Sequence, residues 1–286
     1  MEDHAITHTL LERAEAFARS RLSEGRYEHT LRVADTAQRL ALAHDLDADR
    51  ARLAALLHDA ARETGPEEFL KLADQWHLQV GDPERQSPKL LHGPVADELA
   101  RRELGIDDEE VLEAVRAHTT GRPGMGPLAL VLYVADKIEP ARDYPSVGRL
   151  RTLASEDLHR AAEESLRRAI AHNEERGKAT HPASLKMLDW LKADHTAQSR
   201  IEYQQSVEGE GESHEGHANL GGSAGPDTPR QQPERLSHGP KERHAAGVEC
   251  VGDDVRSVAS DEGQSKVRKT SQEQQDQQRK EENTEH

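Results

Sequence analysis

The chain of 286 residues contains a single cysteine, Cys250. That rules out an intramolecular disulfide and suits a reducing compartment. No apolar run is longer than "LALVLYVA", far short of the roughly 20 residues that a membrane helix needs. The N-terminal "MEDHAITHTLLERAEAF" lacks a basic segment followed by an apolar core, so a cytoplasmic protein with no membrane segment is expected. Positive charge is scarce as well: 27 Lys and Arg face 36 Asp and Glu through residue 196, and 11 face 18 beyond it. Binding long nucleic acid through counterion release needs a basic face, so nucleic acid is excluded as a main partner. A small anionic ligand remains compatible wherever cations cluster locally.

Period-two alternation is almost absent from residues 1–195, where apolar residues recur at spacings of three and four. The fold class is therefore all-α. From Gln198 onward the chain is Glu, Gln, Ser, Gly, Lys and Arg with scattered Val and Leu. Such a segment cannot bury enough apolar area to offset its ordering entropy. We expect one domain over residues 1–196, a disordered acidic C-terminal tail over 197–286, and no internal repeat.

Helices are predicted over His4 to Arg21, Tyr27 to His44, and Ala48 to Arg62 with Asp47 as cap. A short helix led by Pro66 follows, then one opened by Pro94 with His92 at or just before its start. Asp107 or Asp108 caps a helix ending near His118. Pro127 opens "PLALVLYVADKIE", which Pro140 closes. The last two helices run from Glu156 to Arg176, with Gly177 at the C-cap, and from Pro182 to Ala193.

Of the 17 histidines, position separates four: His29, His58, His92 and His118 lie on apolar faces or at helix ends beside apolar runs. His29 shares a face with Val33, Ala37 and Leu40, and His118 continues the stripe of Val111 and Val115. Each alone reads as a hydrogen-bonded core histidine. Two carboxylates change that: Asp59 lies within "LAALLHDAA" and Asp136 interrupts "LVLYVADKI". A carboxylate in an apolar interior costs several kcal/mol unless it is paired, protonated or bound to a metal. A distant arginine would answer for Asp59 alone. Two inward carboxylates and several inward imidazoles together call for a divalent metal, and that donor set suits iron, manganese or zinc better than calcium or magnesium. A second His-Asp pair, His44 and Asp45, ends its helix instead of interrupting one, and structural duties at the helix C-terminus and turn explain it.

Groups suited to phosphate surround this centre. His92 stands beside a helix N-terminus, where free amides and the dipole favour an anion. Arg26 lies about one turn before His29, Arg142 follows the Asp136 helix, and "ATHPAS" (Ala179, Thr180, His181, Pro182, Ala183, Ser184) offers another helix N-terminus. Each arginine alone reads as a solvated surface residue; together they form a local cation cluster.

In order along the chain, "YEHTLRVADTA", "LAALLHDAARE", "LLHGPVADELA", "AVRAHTTGRPGM" and "LYVADKIEPARDYP" resemble the HD-domain superfamily. The resemblance is closest to its branch of symmetrical bis(5′-nucleosyl)-tetraphosphatases and covers about residues 10–193. It implies an HD-domain helical bundle, a metal-dependent phosphohydrolase that binds iron and splits diadenosine tetraphosphate into two ADP. The family's metal-ligand pattern falls on His29, His58, Asp59 and Asp136. Its ADP contacts fall on Arg26, His92, His118, Ala135, Asp136, Arg142 and the turn from Ala179 to Ser184. A metal-bound water would be the nucleophile, with His92 or His118 as the general acid that protonates the leaving ADP. Manganese and cobalt would accept the same ligands, and a homodimer is compatible. Two other readings stay open: a two-metal nucleotide hydrolase or phosphodiesterase of the wider superfamily, and a catalytically inactive nucleotide-binding regulator whose tail recruits a partner.

Overall fold

The computed structural model describes residues 8–193 and, apart from them, residues 248–249. Among these residues the fold is all-α except for one two-residue parallel pairing of β1 (Ala179–Thr180) with β2 (Val248–Glu249). Those two residues are the only part of the expected disordered tail that is described, and they are strand; the remainder of that expectation lies outside the described residues. No helix of the described residues is long and apolar enough to cross a membrane.

The core is built around α8 (Pro127–Ile138), in which every residue from Leu128 to Ile138 is buried. A helix buried all round needs neighbours on every side. They are α2 (Glu24–Ala43), α3 (Ala48–Leu57), α7 (Glu109–Ala117), α9 (Val147–Glu156) and α10 (Leu158–Glu175). The helices α2 and α3 pack against each other, and Ala34, Ala37 and Ala41 of the first and Ala51, Ala54 and Ala55 of the second are all buried. Small side chains at a helix contact let the axes approach closely. Capping matches the sequence reading: Asp47 accepts from the amides of Asp49 (2.9 Å) and Arg50 (3.0 Å), and Asp108 from those of Glu110 and Val111. Asp108 also takes two hydrogen bonds from Arg50 (2.7 and 2.5 Å), tying α3 to α7.

Several boundaries differ from expectation, among them the start of α2 at Glu24 instead of Tyr27. The α3 helix stops at Leu57, not Arg62, because the chain tightens into i to i+3 turns, with Ala60 N–H donating to Leu57 O and Arg62 N–H to Asp59 O. The helix α6 (His92–Leu99) begins at His92, two residues before Pro94. The helix expected from Glu156 to Arg176 is α10 and begins at Leu158, because Asp157 is extended (φ −152°, ψ 102°) and caps it through the amide of Arg160. The helix α9 before it is absent from the sequence expectation. The helix expected from Pro182 to Ala193 is present as α11, residues 182–193; the others are α1 (His8–Arg21), whose expected start at His4 lies outside the described residues, α4 (Pro66–Gln75) and α5 (Asp82–Gln86).

Candidate metal centre

His29, His58, Asp59, His92, His118 and Asp136 come from five separate chain segments, and all are buried. Gly93 brings two of these segments together. A Cβ there would stand 2.8 Å from Arg116 O and 3.1 Å from Val115 O, so only glycine lets the start of α6 press against the last turn of α7. His92 and His118, which flank that crossing, then lie with their Nε2 atoms 3.0 Å apart.

One device orients three of the four rings. His58, His118 and His92 each place Nδ1 against the carbonyl three residues earlier: Ala55 O at 2.6 Å, Val115 O at 2.7 Å and Lys89 O at 2.6 Å. A carbonyl can only accept, so Nδ1 carries the proton and the lone pair of Nε2 faces inward. His29 differs: its Nδ1 meets Glu139 Oε1 at 3.2 Å and its Nε2 meets Asp136 Oδ1 at 3.2 Å.

The carboxylates stand among these nitrogens. Asp59 Oδ2 lies 3.6 Å from His58 Nε2 and 4.0 Å from His29 Nε2, and its Oδ1 lies 3.5 Å from His92 Nε2 and 3.8 Å from His118 Nε2. Arg26 Nη1 (3.5 Å) and Arg62 Nε (3.9 Å) approach it at ion-pair distances. Asp136 accepts from Lys137 Nζ at 2.6 Å and from Arg142 Nη2 at 2.9 Å.

Protonation follows from this arrangement. Burial would push Asp59 and Asp136 up, but the surrounding imidazoles and cations outweigh it and hold both well below the usual carboxylate range. Burial pushes His58 and His92 below their ordinary value, and His118 down to about 3 with His58 adding to the effect. For His29 burial acts in the same direction, yet the carboxylates of Asp136 and Glu139 outweigh it and raise its pKa. Glu139, despite burial, is drawn down to about 2 by His29, the Ala141 amide and Arg32. At neutral pH the centre thus presents carboxylates and, from His58, His92 and His118, bare imidazole nitrogens, the protonation states that metal ligation requires.

A divalent cation fits these donors. His29, His58 and Asp136 each offer one donor atom, all within 4.8 Å of one another, and so do His58, Asp59 and His118. Bonds of about 2.1 Å to one ion require neighbouring ligands at comparable separations. His58 supplies the sharper test, because its Nε2 is buried with no hydrogen-bond partner among the described residues. An ion pair between Asp59 and an arginine leaves that nitrogen bare, whereas a cation among the carboxylates satisfies it.

The expected phosphate groups are distributed more widely. Arg26 is about one-third exposed at the rim of the centre, and Arg142 also reaches the Asp136 carbonyl through Nε (2.9 Å). Ala135 is buried in α8. In the turn, Thr180 accepts from Asn173, His181 pairs with Glu84 Oε1 at 3.0 Å, Ala183 N–H donates to His181 Nδ1, and Ala179 and Pro182 are exposed. Ser184 ties the turn to the segment beside the centre, donating to Thr120 O at 2.6 Å, one residue beyond Thr119. Three groups in or beside the centre escaped the sequence reading: Thr119, Lys137 and Glu139. The Thr119 hydroxyl lies 3.0 Å from both His92 Nε2 and His118 Nε2.

Residues 26–141 match the family model described as HD domain. The chain is 37% identical over 180 residues to the symmetrical bis(5′-nucleosyl)-tetraphosphatase of Bacillus subtilis (strain 168), covering 63% of this chain and 96% of that one. It is 39% identical over 175 residues to the protein of the same name from Halalkalibacterium halodurans, covering 59% and 90% respectively. Among solved structures, an HD-superfamily hydrolase from Clostridium acetobutylicum, described as involved in NAD metabolism, superposes with a TM-score of 0.62 at 36% identity, covering 64% of this chain and 97% of the other.

Proposed function

The chain belongs to the HD-domain family, alongside the symmetrical bis(5′-nucleosyl)-tetraphosphatases, and we propose that it hydrolyses diadenosine tetraphosphate and related dinucleoside polyphosphates, releasing two ADP. The observation that carries this reading is the bare, buried Nε2 of His58 among two carboxylates and three further imidazoles. His29, His58, Asp59 and Asp136 hold the metal, iron first, with manganese or cobalt acceptable to the same donors. When bound there, such an ion supplies Lewis acidity and makes a water acidic enough to attack phosphorus near neutral pH.

The protein groups around it do the remaining work. Arg26 and Arg142 balance the charge of the phosphate chain, as does the helix N-terminus beside the turn from Ala179 to Ser184. His92 and His118 receive phosphate oxygens, and one of them protonates the leaving ADP. Neither carries a proton on Nε2 in the free protein, because burial holds both far below neutrality. A polyanionic substrate brought against them favours the imidazolium, so the acid forms only once its substrate is in place. Symmetrical cleavage requires the pocket to hold one complete nucleoside diphosphate, which sets the central bridging oxygen at the reacting position.

Asp59→Ala tests this reading, since it is expected to abolish metal uptake and turnover together; full activity at wild-type metal content would sink it. One observation favours a second reading, a two-metal hydrolase: the sets containing His29 and His118 overlap at His58. About two metal ions per chain would support that alternative.

A further inference from the structure

We propose that Glu139 is the positioning residue of this centre, fixing the tautomer and orientation of His29 and thereby setting metal affinity. The inference rests on the metal reading given above. Glu139 is 2% exposed. Its Oε1 lies 3.2 Å from His29 Nδ1, and its Oε2 accepts from Arg32 Nε at 2.9 Å and from the Ala141 amide at 2.7 Å. His29 therefore donates from Nδ1 and turns Nε2 toward Asp136.

What sets His29 apart is its place on its helix. His58 and His118 follow the ends of α3 and α7, where the last carbonyls have no helical partner and can take Nδ1–H. His92 uses the carbonyl of Lys89 in the turn just before α6, which also accepts from the His92 amide. His29 is the sixth residue of α2, and the carbonyl three residues before it belongs to the helix ladder. The acceptor must come from elsewhere in the fold, and a carboxylate 110 residues later in the sequence, at the end of α8, provides it. Arg32 and the Ala141 amide hold the other oxygen, so Glu139 cannot swing to another partner without abandoning both. A carboxylate behind an imidazole also raises that ligand's basicity, and removing such a partner typically weakens metal binding by about 10- to 100-fold.

The test is Co2+ titration of the metal-free full-length protein at neutral pH, read by calorimetry and by the visible spectrum of the bound ion, with the thermal midpoint of each metal-free protein measured beside it. Glu139→Gln is expected to bind Co2+ about 10- to 100-fold more weakly than wild type with its metal-free midpoint little changed. Arg32→Gln, which spares the contact to His29, is expected to bind within about threefold of wild type, well short of that loss. Glu139→Asp, keeping the charge on a shorter arm, is expected to retain part of the affinity, and it serves as the readout if Glu139→Gln fails to fold. Equal Co2+ affinity in wild type and Glu139→Gln overturns the proposal, as does an equal loss in Arg32→Gln. Wild-type protein that takes up no Co2+ overturns the metal reading itself.

Discussion

The Nε2 atoms of His92 and His118 lie 3.0 Å apart. Both rings carry their proton on Nδ1, which is spent on the carbonyls of Lys89 and Val115. Two lone pairs therefore face each other, with the hydroxyl of Thr119 3.0 Å from each. A single hydroxyl hydrogen can serve one of them at a time, so the pair is built to receive a donor or a cation from outside the protein.

The cost of keeping these imidazoles neutral sets the acid limb of stability. His58, His92 and His118 have folded pKa values below their ordinary one, His118 at about 3. The unfolded chain then binds more protons, so their contribution is complete above about pH 6.5 and is lost as pH falls toward the folded values. His29, raised by its carboxylates, opposes this with one proton against three. Urea unfolding in the presence of a chelator should show stability dropping between pH 7.5 and 5, at up to about 1.4 kcal/mol per pH unit for each proton taken up. A flat profile across that range would contradict the assignment.

Gly93→Ala should separate the pair. The added Cβ would stand 2.8 Å from Arg116 O, a backbone atom that cannot turn aside. Overpacking of this kind costs about 1–3 kcal/mol. We expect a lower thermal midpoint together with a fall in kcat/KM, since moving α6 also moves His92. Unchanged kinetics in a destabilised protein would show that the crossing does not control the site.

Arg151→Ala addresses the loop after α8. From α9 its guanidinium donates to the carbonyls of Ile138, Glu139 and Arg142 at 2.9, 2.9 and 3.0 Å, closing the C-terminus of α8. A cation at a helix C-terminus is favourable, and hydrogen bonds from a charged donor contribute about 1.5–3 kcal/mol each. The variant should lose stability and show a raised KM for a dinucleoside polyphosphate, because the same loop carries Arg142. A stability loss with unchanged KM would mean that Arg142 is held without this clamp.

Legibility in the sequence followed the range of the interactions involved. Asp47 and Asp108 as caps, and Pro127 as the opening of α8, are local signals, and each stands where it was expected. His58 and Asp59 were legible because charge inside an apolar run is anomalous on its own. The decoy was legible for the opposite reason: His44 ends α2 and its Nε2 meets Ala154 O at 2.7 Å, away from the centre, while Asp45 takes a turn conformation with φ 54°. Glu139 reads locally as a polar helix end before Pro140. Its burial depends on His29 and Arg32, more than a hundred residues away. The one available hint was its spacing of three from Asp136, which places both on one side of α8. Thr119 was hidden by the same dependence, since its significance appears only when Gly93 has brought His92 beside His118. The early end of α3 was hidden because "HDAARE" keeps helical composition while its hydrogen bonds shift to i+3 spacing.

The most direct measurement is separation of the products after incubating anaerobically purified protein with diadenosine tetraphosphate. The account predicts ADP as the sole nucleotide product, two for each substrate consumed. Equal amounts of ATP and AMP, or no hydrolysis by metal-loaded protein, would contradict it.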